Sequence, residues 1–176
     1  IVGDDIKSQL GATILHRSLV DLFLKNGCKI DETHQSNLGG NTDFLNLIET
    51  SRAKTKIICK NKAIKNIIPY TIPVTVDIKS YKKEHEPIFG DAKRTLIHLE
   101  GKNFGIRPIS INVELRVEDS PNSAGVMIDV IRAMKVALDR KDSGVITPIC
   151  TKYFKRSPKN IDDEKANAEF LNFLRG

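Results

Sequence analysis

Ile109, Ile111, Val113, Leu115 and Val117 alternate without interruption with Ser110, Asn112, Glu114 and Arg116. A period of two puts every apolar side chain on one face of an extended strand, so this stretch must lie on a sheet with one dry side. Val74, Val76 and Ile78 repeat the pattern, Thr95 to Glu100 reads as a further strand closed by Gly101, and Ile30 to Leu38 as a more polar one. Together they predict an antiparallel or mixed sheet with one face covered.

The covering elements are legible from helical spacing. Lys7 to Asn26 reads as a first helix, capped by Asp4 and Asp5, stopped at Gly27, with Leu15, Leu19, Leu22 and Phe23 on its core face. Lys60 to Ile68 reads as a second, short helix before Pro69 and Pro73. Ser120-Pro121 opens the longest helix, running to about Arg140, with Val126, Val130, Ala133, Met134 and Ala137 as its buried stripe. A final amphipathic helix, Asp162 to Arg175, carries Phe170, Leu171 and Leu174. The expected class is α+β, a mixed sheet with helices packed on one face.

Composition removes several function classes. No apolar run approaches the roughly 20 residues of a bilayer span, and no membrane partner is expected. Cys28, Cys59 and Cys150 are odd in number and far apart, which fits neither a disulfide framework nor zinc, and fits a cytoplasmic setting. His16, His34, His85 and His98 are scattered without metal-ligand spacing, so structural or surface roles are expected and no metal site. The net charge of +6 attracts anions. The basic residues form no single run and Trp is absent, so a phosphorylated metabolite suits the charge better than nucleic acid. The chain begins with Ile, which reads as a piece of a longer protein.

Four places combine acids, amides or lysines with structural punctuation: Asp4 to Ser8, the run Asn37 to Asp43 with Lys56 and Lys60 behind it, Gly90 to Lys93, and Glu118 to Ser120. Each lies at the end of an apolar element, where a rigid scaffold aims a side chain. Gly39 and Gly40 permit close approach of backbone to a ligand. Ser8, read as lying in the first turn of a helix, suits a phosphate. Each place also has a plainer reading. Asp5 and Asp119 cap helices, the glycines make a turn, Lys56 and Lys60 form a solvated face, and Asp91 with Lys93 makes an exposed pair.

In order along the chain, Gly3-Asp4-Asp5-x-Lys7-Ser8, Asn37-x-Gly39-x-Asn41-x-Asp43, Lys56-x-x-x-Lys60, Asp91-x-Lys93, Leu99-Glu100-Gly101 and Glu118 to Gly125 resemble the inositol-3-phosphate synthase family, also called myo-inositol-1-phosphate synthase. The resemblance runs from residue 1 to about 158 and is nearer the shorter prokaryotic branch. It implies an enzyme that converts D-glucose 6-phosphate to inositol phosphate with NAD, by oxidation at C5, enolisation, aldol ring closure and reduction. It implies a tetramer, with residues 1–118 as the catalytic and oligomerisation sheet domain, akin to the second domain of dihydrodipicolinate reductase. Residues 119–176 would form a helical segment returning to a Rossmann domain, since no glycine fingerprint for dinucleotide binding occurs here.

By motif position, the resemblance puts Asp5, Ser8, Asn41, Thr42, Asp43, Lys56, Asp91, Ala92, Asp119 and Ser120 on the NAD side. It assigns catalysis to Lys56, Lys60 and Lys93, with Ser8, Lys60 and Lys93 on the substrate phosphate. A protonated lysine can hold an oxyanion, and a lysine with a lowered pKa can move a proton. The family's lysine in a Tyr-x-x-Lys-x-Pro pattern is replaced, because Tyr153-Phe154-Lys155-Arg156-Ser157-Pro158 puts Arg156 there with Lys155 beside it. Arginine stays protonated and cannot serve as a base. The alternative is a non-catalytic oligomerisation and NAD-binding module.

Overall fold

The computed structural model describes residues 2–3, 5–42, 44, 50–80, 90–155, 157–159 and 161–176, and for residues 50–52 and 80 the backbone alone. It divides into two compact units. One holds Leu10–Ser120, and the other joins Ile1–Gln9 to Pro121–Gly176. The division falls two residues beyond the 118/119 boundary read from sequence, and the first nine residues belong with the C-terminal unit.

The larger unit runs α1 (Ala12–Lys25), β1 (Lys29–Gly39), α2 (Thr50–Lys65), β2 (Val74–Ser80), β3 (Ala92–Lys102) and β4 (Pro108–Glu118). The sheet order is β2-β1-β3-β4. β2 is parallel to β1, whereas the β1/β3 and β3/β4 pairs are antiparallel. The parallel pair is bridged by α2, as a crossover connection requires. Val20, Phe23, Ile30, Ile64, Ile68, Val74, Ile97 and Leu99 pack as the core between the helices and one sheet face. The expected α+β class, with a mixed sheet covered on one side, is what the structure has.

The smaller unit holds α3 (Asp119–Asp139, whose first two residues belong to the larger unit), α4 (Thr147–Tyr153) and α5 (Asp163–Arg175). Val126, Val130, Ala133 and Ala137 form its buried stripe as read, with Met134 partly buried against them. Tyr153 meets Phe170 edge-on with ring centroids 5.0 Å apart. Asp162 caps α5 by accepting from the Lys165 N–H at 2.7 Å.

Four local expectations are corrected. The first helix begins at Ala12, not Lys7, because residues 5–7 spend their backbone groups elsewhere. Lys7 N–H donates to Tyr153 O, Lys155 N–H donates to Asp5 O, and Ile6 bridges Phe154. Asp5 therefore caps no helix. The buried face of α1 is broader than read: Ala12, Thr13, His16, Arg17, Val20 and Phe23 face inward and Leu15 and Leu19 pack partly buried against the core, while Leu22 is exposed. The second helix starts ten residues early, at Thr50, since its first turns are polar and show no apolar period. Gly101 ends no strand. It lies inside β3 opposite Ile30, where a Cβ would come within 2.1 Å of Lys29 O beside a bulge in β1.

Candidate active site

The strand β1 changes character along its length. Ile30 serves the core, but Thr33, Gln35 and Asn37 on the helix-covered face are polar and buried. Buried amides must be hydrogen-bonded, so this face is a network rather than a gap in the core. Asn37 lies opposite Thr95, and Gly39 opposite Lys93. From above, α2 lowers Lys60 onto the same face. Lys60 is 7% exposed and its Nζ donates to Asn37 Oδ1 at 2.9 Å. That oxygen also accepts from Gln35 Nε2 at 2.9 Å and Thr95 Oγ1 at 3.3 Å, while Asn37 Nδ2 donates to Asp77 O at 2.9 Å. Lys56 is half-buried one turn before Lys60, on the same side of α2.

At the β1 exit, Gly39 has a reason beyond the turn chemistry read from sequence. A Cβ there would lie 2.3 Å from the Phe44 ring, so glycine is what lets Phe44 seat against the strand. The space expected for a ligand at Gly39 is filled by this ring. Lys93 Nζ stands 5.8 Å from the Phe44 ring centroid and donates to Asp119 Oδ1 at 2.8 Å. Asn41 links the strand exits. Its Nδ2 donates to Asp91 Oδ1 and Asp119 Oδ2, both at 3.3 Å, and its Oδ1 accepts from the Phe44 N–H.

Asp91 completes the cluster by accepting from the Ser120 N–H and Oγ–H, each at 2.7 Å. It, rather than Asp119, satisfies the first turn of α3. Partial burial pushes the Asp91 carboxyl up, but the two Ser120 hydrogen bonds, Asn41 and the Lys93 charge outweigh it and hold the group below its usual value. Thr42 and Ala92 are exposed beside this cluster, and Ala92 O accepts from the Gly40 N–H.

In the smaller unit Lys155 donates to Asp5 at 2.8 Å, Lys7 to Asp163 at 3.3 Å, and Ser8 Oγ lies 3.4 Å from Ser123 Oγ. Ser8 precedes α1 and so has no helix N-terminus of its own, which corrects the reason given for placing a phosphate there. Asp43 and Arg156 lie outside the described residues.

Of the residues singled out in sequence, the larger unit thus gathers Lys60, Lys93, Asn41, Asp91, Asp119 and Ser120 onto one sheet face and its exits. Sequence reading missed Gln35, Asn37 as a ligand of Lys60, Thr95 and His16. The signal was present in β1, where alternate residues on the inward side are Thr33, Gln35 and Asn37 instead of aliphatics. On the opposite, open face Glu32, His98 and Glu100 bring ligand-type atoms within 4.8 Å of one another, and His98 Nδ1 is 2.8 Å from Asn112 Oδ1.

Fold and site define an α+β domain whose covered sheet face carries a centre of lysines, amides and carboxylates. The family model for myo-inositol-1-phosphate synthase matches residues 11–120. The chain is 42% identical over 179 residues to the inositol-3-phosphate synthase of Mycolicibacterium smegmatis, covering 100% of this chain and 49% of that protein. It is 40% identical to the inositol-3-phosphate synthase of Corynebacterium glutamicum, covering 99% of this chain and 49% of that one. A crystal structure of a myo-inositol-1-phosphate synthase-related protein from Thermotoga maritima superposes with a TM-score of 0.84 at 29% identity, over 98% of this chain and 45% of that chain. The chain belongs to the myo-inositol-1-phosphate synthase family, and it spans about half the length of the curated relatives it matches. Among the described residues no helix is long and apolar enough to cross a membrane.

Proposed function

We propose that this chain is the sheet-bearing half of an inositol-3-phosphate synthase, whose whole protein converts D-glucose 6-phosphate to inositol phosphate with NAD. The observation that carries this reading is the convergence of Lys60 and Lys93 on one sheet face, in a chain of this family. Asn37 orients Lys60 through its amide oxygen. Asp119 fixes Lys93 through their 2.8 Å ion pair. Two fixed ammonium groups can hold a phosphate or the oxyanion that forms when a ketone is enolised. Lys56, one turn from Lys60, is placed to hand on a proton.

The donor set at the strand exits fits the nicotinamide end of NAD. Asn41, Asp91, Asp119 and Ser120 offer an amide, two carboxylates and a hydroxyl to ribose hydroxyls and a carboxamide. No glycine-rich strand-to-helix turn is present among the described residues, so the pyrophosphate would be held by residues of the whole protein beyond this chain. When bound, NAD supplies the hydride acceptor and donor. The exposed face of α3 carrying Met127, Ile128, Ile131 and Leu138 is apolar enough to pack on that other half. The open sheet face, with Leu96 exposed, suits association into the expected homotetramer.

The test is formation of inositol phosphate from glucose 6-phosphate by the whole protein with NAD. Product supports the reading. A folded protein that binds NAD yet gives none favours the non-catalytic module.

A further inference from the structure

We infer that His16 and Gln35 are positioning residues for Lys60, acting through Asn37 by a hydrogen-bond chain of fixed direction; the catalytic part of this inference rests on the function proposed above. The direction follows from the two ends. Asn37 Nδ2 donates to a backbone carbonyl, Asp77 O, and an ammonium can only donate, so Asn37 Oδ1 must point at Lys60. Gln35 then presents Nε2 to that same oxygen, which turns its Oε1 toward His16. His16 Nδ1, 3.0 Å from Gln35 Oε1, must therefore carry the proton.

The far side of the ring turns on one hydroxyl proton. His16 Nε2 and His98 O each lie 2.7 Å from Thr33 Oγ1. With Nδ1 protonated, the Thr33 hydroxyl must give its single proton to Nε2 in place of His98 O, so the direction of the chain is set from the Lys60 end alone. Complete burial of His16 keeps the ring neutral, against the raising effect of the Gln35 hydrogen bond. Moving the proton to Nε2 would put two lone pairs face to face at Gln35. Relieving that clash by turning Gln35, and then Asn37, would aim an NH2 group at the Lys60 ammonium. The imidazole tautomer, three side chains away, thus decides whether Asn37 offers Lys60 an acceptor.

The experiment uses the whole protein. In 15N-histidine-labelled protein at pH 7, His16 is expected as the neutral Nδ1–H tautomer; the Nε2–H tautomer or an imidazolium overturns the inference whether or not the protein turns over glucose 6-phosphate. In kinetics, His16→Asn keeps an N–H near the Nδ1 position and His16→Gln keeps one near Nε2. His16→Asn is expected to retain most of kcat, while His16→Gln and Gln35→Leu lower it roughly ten- to hundredfold, the scale of a misplaced catalytic group, with KM changed less than about twofold. A role in packing alone would penalise the smaller Asn at least as much as Gln, so equal or reversed kcat values for the two variants overturn the inference. Should the unmodified protein show no turnover, the proposed function fails while the tautomer still decides this one.

Discussion

Lys93 Nζ stands 2.8 Å from Asp119 Oδ1, and the two side chains are 15% and 14% exposed. The pair ties β3 to the first residue of α3, and Asn41 and Phe44 press on it from the β1 exit. A charge so enclosed is held in place. Lys93→Met is expected to lower turnover about 10²- to 10³-fold, as for loss of one oxyanion donor. Far-ultraviolet circular dichroism should stay unchanged, with a destabilisation of about 1–3 kcal/mol from leaving Asp119 short of a partner. Near-normal kinetics in this variant would remove Lys93 from the catalytic set.

Gly39→Ala tests the close approach of Phe44. The new methyl cannot share the space of the ring, so the variant is expected to lose about 1–3 kcal/mol in urea unfolding. Introducing Phe44→Leu in the same chain should recover part of that loss, because a smaller side chain leaves room. Strictly additive losses would show that the two positions do not compete.

His16 gives a pH dependence of defined sign. Burial lowers its pKa from 6.5 to about 4, outweighing the Gln35 hydrogen bond, and the nearby His34 lowers it further. Between these values the unfolded chain binds the proton and the native one does not, so acid favours unfolding. The contribution is fully present above pH 6.5 and is lost as pH falls through about 4; it amounts to on the order of 3 kcal/mol. Denaturant titrations of the parent protein and His16→Asn across this window should show a flatter profile in the variant.

Asp91, in the turn just before β3, acts as the cap of α3. Asp91→Ala removes the acceptor of the Ser120 N–H and is expected to cost about 1 kcal/mol. The folded carboxyl titrates below 3.8, so its contribution is present above that value and disappears as pH falls through the depressed one. The parent and variant should therefore differ at pH 7 and converge in strong acid, as read by unfolding midpoints.

How much of this was legible in the chain differs from element to element. The β4 pattern and the α3 stripe were read correctly because each element is amphipathic on its own, with a period that needs no partner. The start of α1 was not, since residues 5–7 are extended through hydrogen bonds to residues 153–155, far along the chain. Of the candidate site, Lys60, Lys93, Asp91 and Asp119 were named from motif position. That Asp91 rather than Asp119 serves the α3 start, and that Asn37 receives Lys60, depends on strand register.

The sequence by itself determined the period of the amphipathic elements, the lack of an apolar run of bilayer length and the family, because these are properties of residues close together or of motifs in order. The tertiary structure alone decided which polar groups meet. Thr33, Gln35 and Asn37 look like a weak strand until β3 and two helices bury them. Once water is excluded, each donor must find an acceptor, and that requirement links His16 to Lys60.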